Sequence, residues 1–324
     1  MMYYSTILDN LGNTPLVKME LNNHKQAMNL YAKLEFYNPT GSVKDRAASY
    51  VLEKLLNNKE INYDTTIIES TSGNFGIALS SYCKKYGLKF CCVIDAAITD
   101  TNENIIRSLG AEVIKITEAD SSGGYLLNRI KKVNEILVER PNSYWINQYA
   151  NPYNAEAYYT GLGNELCEQL NNIDYIFIGV SSGGTITGIS RKIKERFPHA
   201  KVIAVDIVGS VIFGGKPQKR HIPGMGSSMR PEILAHSQID DIIIIDEVSC
   251  IFGCHELLEK HSIFAGGSSG AVYSAINQYF DSRNTSEVVD VVALFPDRGD
   301  RYTSTIYNEQ WLRNFVVKEK TSSI

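Results

Sequence analysis

Short apolar runs rich in β-branched residues alternate with longer amphipathic segments along most of the chain. The runs predict strands at residues 66–69, 90–94, 111–116, 175–180, 201–206 and 288–294. The amphipathic segments predict helices, among them 77–86 and 103–109. This alternation is typical of parallel βαβ units, whose ligands bind in the loops beyond the carboxyl ends of the strands. We therefore expect the chemistry of the protein in the loops that follow the predicted strands.

The length of 324 residues is about twice that of a typical domain and predicts two α/β domains. Asparagine and proline cluster at residues 147–154, between two regular regions. This cluster predicts a boundary that divides the chain into an N-terminal domain, 1–150, and a C-terminal domain, 151–324.

The composition excludes several classes of protein. Hydrophobic residues make up 44% and charged residues 21%, as in an ordinary folded chain, and the net charge of -4 gives no general attraction to nucleic acid or anionic membranes. The six cysteines form no C-x-x-C pair and are predicted to be reduced core thiols. We find no export signal, no run long enough to cross a membrane and no histidine spacing typical of a metal site. We therefore expect a cytoplasmic protein that binds small molecules and no metal.

The segment 38–46 carries the first candidate for chemistry. Ser42 followed by Asp45 predicts a capping box and a helix that begins here and runs through Val51, which puts Lys44 in the first turn. A cationic lysine is disfavoured near the positive end of a helix dipole, so the pKa of Lys44 should fall and its amine should react with carbonyl groups. The alternative interpretation is a solvated surface lysine.

The segment 178–188 follows a predicted buried strand and opens a helix. Gly183 and Gly184 let backbone N–H groups converge on an anion, and Ser182 and Thr185 add hydroxyl donors. This pattern predicts a phosphate site, but the fingerprints of nucleotide and dinucleotide loops are both missing. A small phosphorylated cofactor fits better than ATP or NAD. The alternative is a glycine turn needed only for packing.

Two further loops place hydroxyl and amide groups at predicted helix starts. The loop 69–76 is suited to a carboxylate, and its Asn74 could donate to a cofactor oxygen, while the loop 265–271 brings a second group of serines. Each signal is weak alone. Together with Lys44 they indicate a carboxylate site, a phosphate site and an imine-forming amine in one chain.

These residues stand in an order that resembles the pyridoxal-phosphate (PLP) β-replacement enzymes of the cysteine synthase and cystathionine β-synthase family. The resemblance is carried by residues 11–17, 33–35, 38–46, 72–74, 148–149, 183–185, 268 and 296–299. It implies the two-domain α/β architecture called fold type II, similar to the tryptophan synthase β-subunit, in which each domain is a mostly parallel twisted sheet flanked by helices. It also implies that the segment from about 12 to 37 crosses to the C-terminal domain, and that the protein is a homodimer.

The resemblance assigns roles to individual residues. It implies that Lys44 forms the Schiff base with the cofactor and later moves the α-proton of the substrate. Asn74 would bond the ring hydroxyl of the cofactor, and Ser268 would face its pyridine nitrogen. The phosphate would be held by Ser181, Ser182, Gly183, Gly184 and Thr185. The carboxylate of the donor amino acid would be bound by Thr71, Ser72 and Gln148.

The chain departs from the cysteine synthase pattern at three places. Phe75 stands where threonine is usual, Ser181 stands where glycine is usual, and residues 224–230 replace a familiar glycine-rich stretch. Sulfide needs no cationic clamp, whereas Arg230, and with it Arg129, could bind a carboxylated nucleophile. The alternative for both arginines is an ordinary salt bridge. These departures argue against plain cysteine synthesis.

Within the family, the chain is most similar to the N-(2-amino-2-carboxyethyl)-L-glutamate synthases of staphyloferrin B siderophore biosynthesis. This similarity implies O-phospho-L-serine as donor and L-glutamate as nucleophile, on the way to 2,3-diaminopropionate, with Tyr149, Ser181 and Arg230 as candidates for selectivity. Three alternatives remain open. They are a cysteine synthase that uses O-acetylserine or O-phosphoserine and sulfide, a cofactor-binding homologue without activity, and a nucleotide-binding α/β protein.

Overall fold

The computed structural model describes residues 4–20, 26–120, 124–281, 283 and 287–322, with side chains up to Phe315. Its strands are β1 (Leu16–Met19), β2 (Met28–Leu34), β3 (Thr66–Ser70), β4 (Lys89–Asp95), β5 (Glu112–Ile116), β6 (Ser143–Trp145), β7 (Tyr175–Gly179), β8 (Lys201–Ile207), β9 (Asp241–Ile245) and β10 (Val289–Phe295). Its α-helices are α1 (Lys44–Asn57), α2 (Asn74–Tyr86), α3 (Asp100–Ser108), α4 (Leu126–Glu139), α5 (Pro152–Ala157), α6 (Asn164–Gln169), α7 (Gly184–Arg196), α8 (Glu247–His261), α9 (Gly267–Asp281) and α10 (Glu309–Ser322). A π-helical turn, Tyr158–Gly163, joins α5 to α6, and 3-10 turns lie at Ile7–Asp9, Glu35–Tyr37, Glu232–His236 and Gly299–Tyr302.

The strands form two sheets. The larger has the order β1-β2-β10-β7-β8-β9, in which only β1 runs antiparallel to its neighbour, and the smaller has the order β5-β4-β3-β6 with all strands parallel. Both sheets are flanked by helices. The predicted α/β class with mostly parallel sheets is confirmed.

The larger sheet takes strands from both ends of the chain. Strand β2 pairs in parallel with β10, from Met28 opposite Val289 to Leu34 opposite Phe295. Strands β3 to β6, which lie between β2 and β7 in the chain, all belong to the smaller sheet. Residues 21–25, within the predicted crossover segment, lie outside the described residues. Of the predicted boundary 147–154, residues 147–151 belong to the connection between β6 and α5, and residues 152–154 begin α5. The division of the chain at 150 stays a prediction.

The central strands of the larger sheet are covered on both faces. Ile176, Phe177 and Ile178 of β7 are all fully buried, although consecutive side chains of a strand point to opposite faces. Each such side chain stabilises the fold by about 1.5–3 kcal/mol. The loops at the carboxyl ends of these strands therefore follow strands that are buried on both faces.

All six cysteines are free, and five of them are buried, as predicted for core thiols. Burial raises the pKa of the Cys83 thiol. Within the described ranges, no helix is both long and apolar enough to cross a membrane.

Candidate active site

A cavity of about 320 Å³ lies at the carboxyl ends of β3, β4, β7 and β10, where the two sheets face each other. Most of the predicted site residues line it, namely Lys44, Thr71, Ser72, Asn74, Gln148, Tyr149, Ser181, Ser182, Gly183, Thr185 and Ser268. Gly184 follows directly as the first residue of α7. The loops predicted from different parts of the sequence therefore meet at one site.

Helix α1 begins at Lys44, as predicted, but its cap differs from the predicted capping box. The Ser42 hydroxyl accepts the Lys44 amide at 3.3 Å. The Asp45 carboxylate turns to Thr40, whose amide and hydroxyl donate to it at 2.8 and 2.6 Å. The Asp45 carboxylate therefore stabilises the turn before the helix through Thr40. In the predicted capping box it would have accepted its main hydrogen bond from the amide of Ser42.

Lys44 faces the cavity and not open solvent. Burial lowers the pKa of Lys44 to about 8, and the nearby Asp297 carboxylate opposes this fall. The sequence attributed a lowered pKa to the helix dipole, and in the folded protein desolvation by burial lowers it as well. A substantial fraction of this amine is neutral, and hence nucleophilic, near pH 8.

The turn between β7 and α7 is shaped for an anion. Gly183 has φ +86°, in the left-handed region that favours glycine, and a Cβ at Gly184 would come within 2.4 Å of the Asn154 amide oxygen. The Ser182 hydroxyl is buried and has no hydrogen-bond partner among the described residues. Because buried hydroxyls are normally satisfied, this orphaned group indicates that a ligand completes the turn.

The loop after β3 is held by a cluster of charges. The Ser72 hydroxyl donates to Asp95 at 2.9 Å and accepts from Arg129 at 3.2 Å. Arg129 also forms an ion pair with Asp95 at 3.2 Å. Because the Ser72 hydroxyl is already engaged, the groups left for a substrate carboxylate are the backbone amides of this loop, that of Ser72 included, and the Thr71 side chain. The Gln148 side chain could join them, since its own bonds to Glu69 and to the Ser70 carbonyl are long at 3.4 Å.

A buried carboxyl lies behind Gln148. The Gln148 amide donates to Glu69 at a long 3.4 Å, and burial raises the pKa of Glu69 to about 8. At neutral pH Glu69 is therefore largely protonated, so the floor of the site carries little negative charge here.

Asn74 is fixed by residues that follow β10. Its amide donates to Asp297 at 2.7 Å, Tyr302 donates to the same carboxylate oxygen at 2.7 Å, and Arg301 donates to the Asn74 carbonyl oxygen and to the backbone carbonyl of Thr40. Burial raises the pKa of Asp297. This network sets which way the Asn74 amide points.

The predicted arginines are placed differently from one another. Arg129 lines the cavity, but Arg230 is exposed and does not, since the segment after residue 226 turns away toward Pro231. The arginine of the connection between β8 and β9 that does line the cavity is Arg220. The proposal of Arg230 as a substrate clamp is therefore not supported by its position.

Sequence reasoning missed Asp95, Asp297 and Arg220. Asp95 is the last residue of β4 and Asp297 lies just beyond β10, so the rule that ligands bind at carboxyl ends of parallel strands would have found both. Arg220 lies in the long irregular connection between β8 and β9, where no periodicity points to it.

The sequence profile of the pyridoxal-phosphate dependent enzyme family matches residues 7–297. The chain belongs to this family. Its cofactor is pyridoxal phosphate, and its fold matches the fold type II structures. The family places the protein among enzymes of the PLP-dependent β-replacement class.

Three solved structures are similar over nearly their whole length. An O-acetylserine dependent cystathionine β-synthase from Helicobacter pylori is 35% identical, with a TM-score of 0.88 over 95% of this chain and 100% of that one. A hydrogen sulfide-producing enzyme from Fusobacterium nucleatum is 31% identical, with a TM-score of 0.85 over 93% and 100%. An O-ureido-L-serine synthase is 26% identical, with a TM-score of 0.86 over 96% and 100%.

The residues of the cavity fit pyridoxal phosphate. The orphaned Ser182 hydroxyl and the amides at the start of α7 suit its phosphate, and the partly neutral amine of Lys44 suits its aldehyde. Asn74 and Ser268 line the same cavity. Their assignment to the ring hydroxyl and the ring nitrogen stays a prediction.

Proposed function

We propose that the protein joins O-phospho-L-serine and L-glutamate to form N-(2-amino-2-carboxyethyl)-L-glutamate and phosphate, and so supplies 2,3-diaminopropionate for siderophore-type biosynthesis. The observation that carries this proposal is that two guanidinium groups line the cavity: Arg129, which contacts Ser72 of the donor loop (residues 71–73, after β3), and Arg220, which has no ion pair among the described residues. Sulfide brings no group that needs them, whereas a phosphorylated donor and a dicarboxylic amino acid bring several anionic groups.

The residues divide the work by their chemistry. When bound, pyridoxal phosphate supplies an aldehyde that captures the donor's amino group and a ring that withdraws electrons from its α-carbon. Lys44, with a pKa of about 8, is suited to take the proton from that carbon and to return it later. Thr71, Ser72 and Gln148 would orient the donor by its carboxylate.

The hydroxyl at Ser268 is consistent with elimination and replacement at the β-carbon. It lies at the start of α9 and is buried, and no hydrogen bond joins its hydroxyl to a carboxylate among the described residues. A neutral hydroxyl does not stabilise a protonated ring nitrogen as a carboxylate does, so transamination is disfavoured.

The experiment follows both the phosphate and the new bond. Purified protein is supplied with O-phosphoserine and either glutamate or sulfide, while phosphate release and product mass are measured. We expect a glutamate adduct formed with one phosphate per turnover. Cysteine as the only product would contradict the proposal.

A second candidate is a cysteine synthase or related enzyme that uses O-acetylserine. It is favoured by the 35% identical structure described as O-acetylserine dependent and by the 31% identical structure described as hydrogen sulfide-producing. The same assay with O-acetylserine in place of O-phosphoserine tests it, because the second candidate predicts faster turnover with the acetylated donor.

A further inference from the structure

The lysine and the arginines that line the cavity lie near a carboxylate that also lines it, with one exception. The Lys44 amine lies within the field of the Asp297 carboxylate, and Arg129 forms an ion pair with Asp95 at 3.2 Å. Arg220 is the remaining arginine in the lining, and it forms no ion pair with any residue in the described part of the chain. The cavity therefore presents one guanidinium whose charge is not matched by the protein.

The hydrogen bonds of Arg220 come from neutral groups. Its guanidinium donates to the carbonyl of Gly209 at 3.2 Å and to the Ser228 hydroxyl at 3.4 Å, which hold the side chain without neutralising it. Burial lowers the pKa of Arg220, and Asp206 and Glu247 counter this only from a distance. A half-buried guanidinium without a counter-ion is costly in free energy unless a ligand supplies the anion.

The two nearest carboxylates are already engaged elsewhere. Glu247 accepts from the amides of His221 and Ile222 at 2.6 and 2.7 Å and contacts the His221 ring at 2.9 Å. Asp206 accepts the amide of Ile207 at 2.9 Å with one carboxylate oxygen, and its other oxygen is buried without a partner among the described residues. Both acids act on Arg220 through their charge, but neither is within ion-pair distance of it in the described part of the chain.

Arg220 and the donor loop are attached to different sheets. Arg220 belongs to the connection after β8 in the larger sheet, whereas Thr71 and Ser72 follow β3 in the smaller one. Tyr149 also lines the cavity, and its hydroxyl is within the electrostatic field of both arginines. Arg129 contacts the donor loop through the Ser72 hydroxyl, whereas Arg220 has no contact with that loop among the described hydrogen bonds.

We infer that Arg220 binds a carboxylate of the incoming amino acid and so selects a carboxylated nucleophile over sulfide. This inference rests on the proposed function and names the residue that recognises the second substrate. A guanidinium can bind a carboxylate with two parallel hydrogen bonds, which fixes the orientation of the nucleophile as well as its charge.

The test compares Arg220→Gln with Lys219→Gln, which removes a positive charge from the adjacent exposed position of the same connection. Product mass from the wild-type enzyme is established first. Phosphate release is then measured with glutamate varied at saturating O-phosphoserine, and with the donor varied at saturating glutamate. We expect Arg220→Gln to raise the KM for glutamate at least about tenfold and to leave the donor KM within about twofold, while Lys219→Gln changes neither.

Each other outcome overturns the assignment in a distinguishable way. A rise in the donor KM would place the leaving phosphate on Arg220, and loss of the bound cofactor's visible absorption would place the cofactor phosphate there. An unchanged KM for glutamate would exclude a binding role. Cysteine as the sole wild-type product would refute the proposed function itself.

A second variant distinguishes a loss of glutamate binding from a misfolded protein. Arg220→Lys keeps the charge but loses the two-pronged geometry, so we expect a KM for glutamate between those of the wild type and Arg220→Gln. A KM for glutamate in Arg220→Lys equal to or above that of Arg220→Gln would show that the charge does not carry the effect.

Discussion

At the scale of single residues, the site depends on which effect controls each ionisable group. Lys44 stands at a helix start, so the sequence indicated the helix dipole as the cause of a lowered pKa. In the folded protein, burial beside the cavity lowers it as well, and Asp297 opposes the fall. Burial depends on how distant parts of the chain pack, so no local pattern could have shown its effect.

Lys44 should destabilise the cofactor-free protein at neutral pH. Its pKa is lowered from the ordinary 10.5 to about 8. Below pH 8 the folded state therefore carries the Lys44 ammonium charge at a buried position, where water solvates it poorly. Between about pH 8 and 10.5 the unfolded chain binds more protons at this group than the folded one, and stability rises with pH. We expect Lys44→Met to raise the free energy of unfolding at pH 7 by about 1–3 kcal/mol.

Denaturant unfolding of the cofactor-free wild type and variant at a series of pH values checks this prediction. The advantage of Lys44→Met should shrink as the pH rises from 8 to 10.5. Lys59→Met, at an exposed position, serves as the control. An advantage that did not vary with pH would show that packing of the methionine, and not charge, is responsible.

Asp297 should tune both the amine and the amide of the site. It raises the pKa of Lys44 and accepts from Asn74 at 2.7 Å, and its second carboxylate oxygen is buried without a partner among the described residues. In Asp297→Asn the negative charge is lost, so we expect the pKa of Lys44 to fall further below its ordinary value.

The pH dependence of the rate at which cofactor-free protein takes up pyridoxal phosphate reports this change as a lower midpoint. Asp300→Asn removes an exposed acid three residues away and should leave the midpoint in place. If both variants shifted it equally, the effect would be a general one of net charge.

At the scale of elements, the predicted phosphate turn at the start of α7 depends on the close approach of α7 to α5. A Cβ at Gly184 would meet the amide of Asn154, which in turn donates to the backbone carbonyl of Gln148 at 2.6 Å. The first turn of α7 and the predicted carboxylate site are thereby coupled through one asparagine.

Gly184→Ala should therefore weaken cofactor binding and stability together. We expect a loss of about 1–3 kcal/mol in the free energy of unfolding, because the buried Asn154 side chain would have to give up its bond to the Gln148 carbonyl to admit a Cβ. Gly161→Ala is the matched control, since its Cβ would lie at an ordinary 3.4 Å from Arg46. Thermal unfolding and cofactor titration of both variants decide whether the close contact matters.

The elements that sequence could predict are those whose own pattern is strong. Strands β3, β4, β7, β8 and β10 carry continuous apolar runs because they are covered on both faces, and the helix start at Lys44 carries its own turn residues. The pairing of β2 with β10 joins residues 261 positions apart, which no local pattern reports. Arg220 was missed for the same reason, since only the tertiary fold brings its irregular connection to the cavity.

At the scale of the whole molecule, a buried network of charges connects β2 of the larger sheet to helices α1 and α6. Arg46 of α1 pairs with Glu35 at 2.6 Å and with Glu165 of α6 at 2.6 Å, and Lys33 of β2 pairs with Glu165 at 2.8 Å. Lys33 also donates to the backbone carbonyl of Thr14 at 2.8 Å. The stretch 11–17, noticed in the sequence only through resemblance, thus supplies backbone groups to this network.

Glu165→Gln should break the network and cost about 3–5 kcal/mol of stability at pH 7, because Lys33 and Arg46 would keep buried charges without their shared partner. Burial opposes ionisation of Glu165, but hydrogen bonds from Arg46 and Lys33 outweigh it and lower the pKa of Glu165 to about 2. This contribution is complete above the ordinary value of 4.5 and is lost as the pH falls toward 2, so the difference between wild type and variant should shrink over that range.

The exposed pair of Arg140 and Glu112, at 2.6 Å with side chains 38% and 48% exposed, is the control, and Glu112→Gln should change the stability by at most about 1 kcal/mol. Equal losses in the two variants would mean that burial adds nothing to the Glu165 network. A large loss in Glu165→Gln alone would show that the fold depends on the buried charges that join α1, which carries Lys44, to β2 and α6.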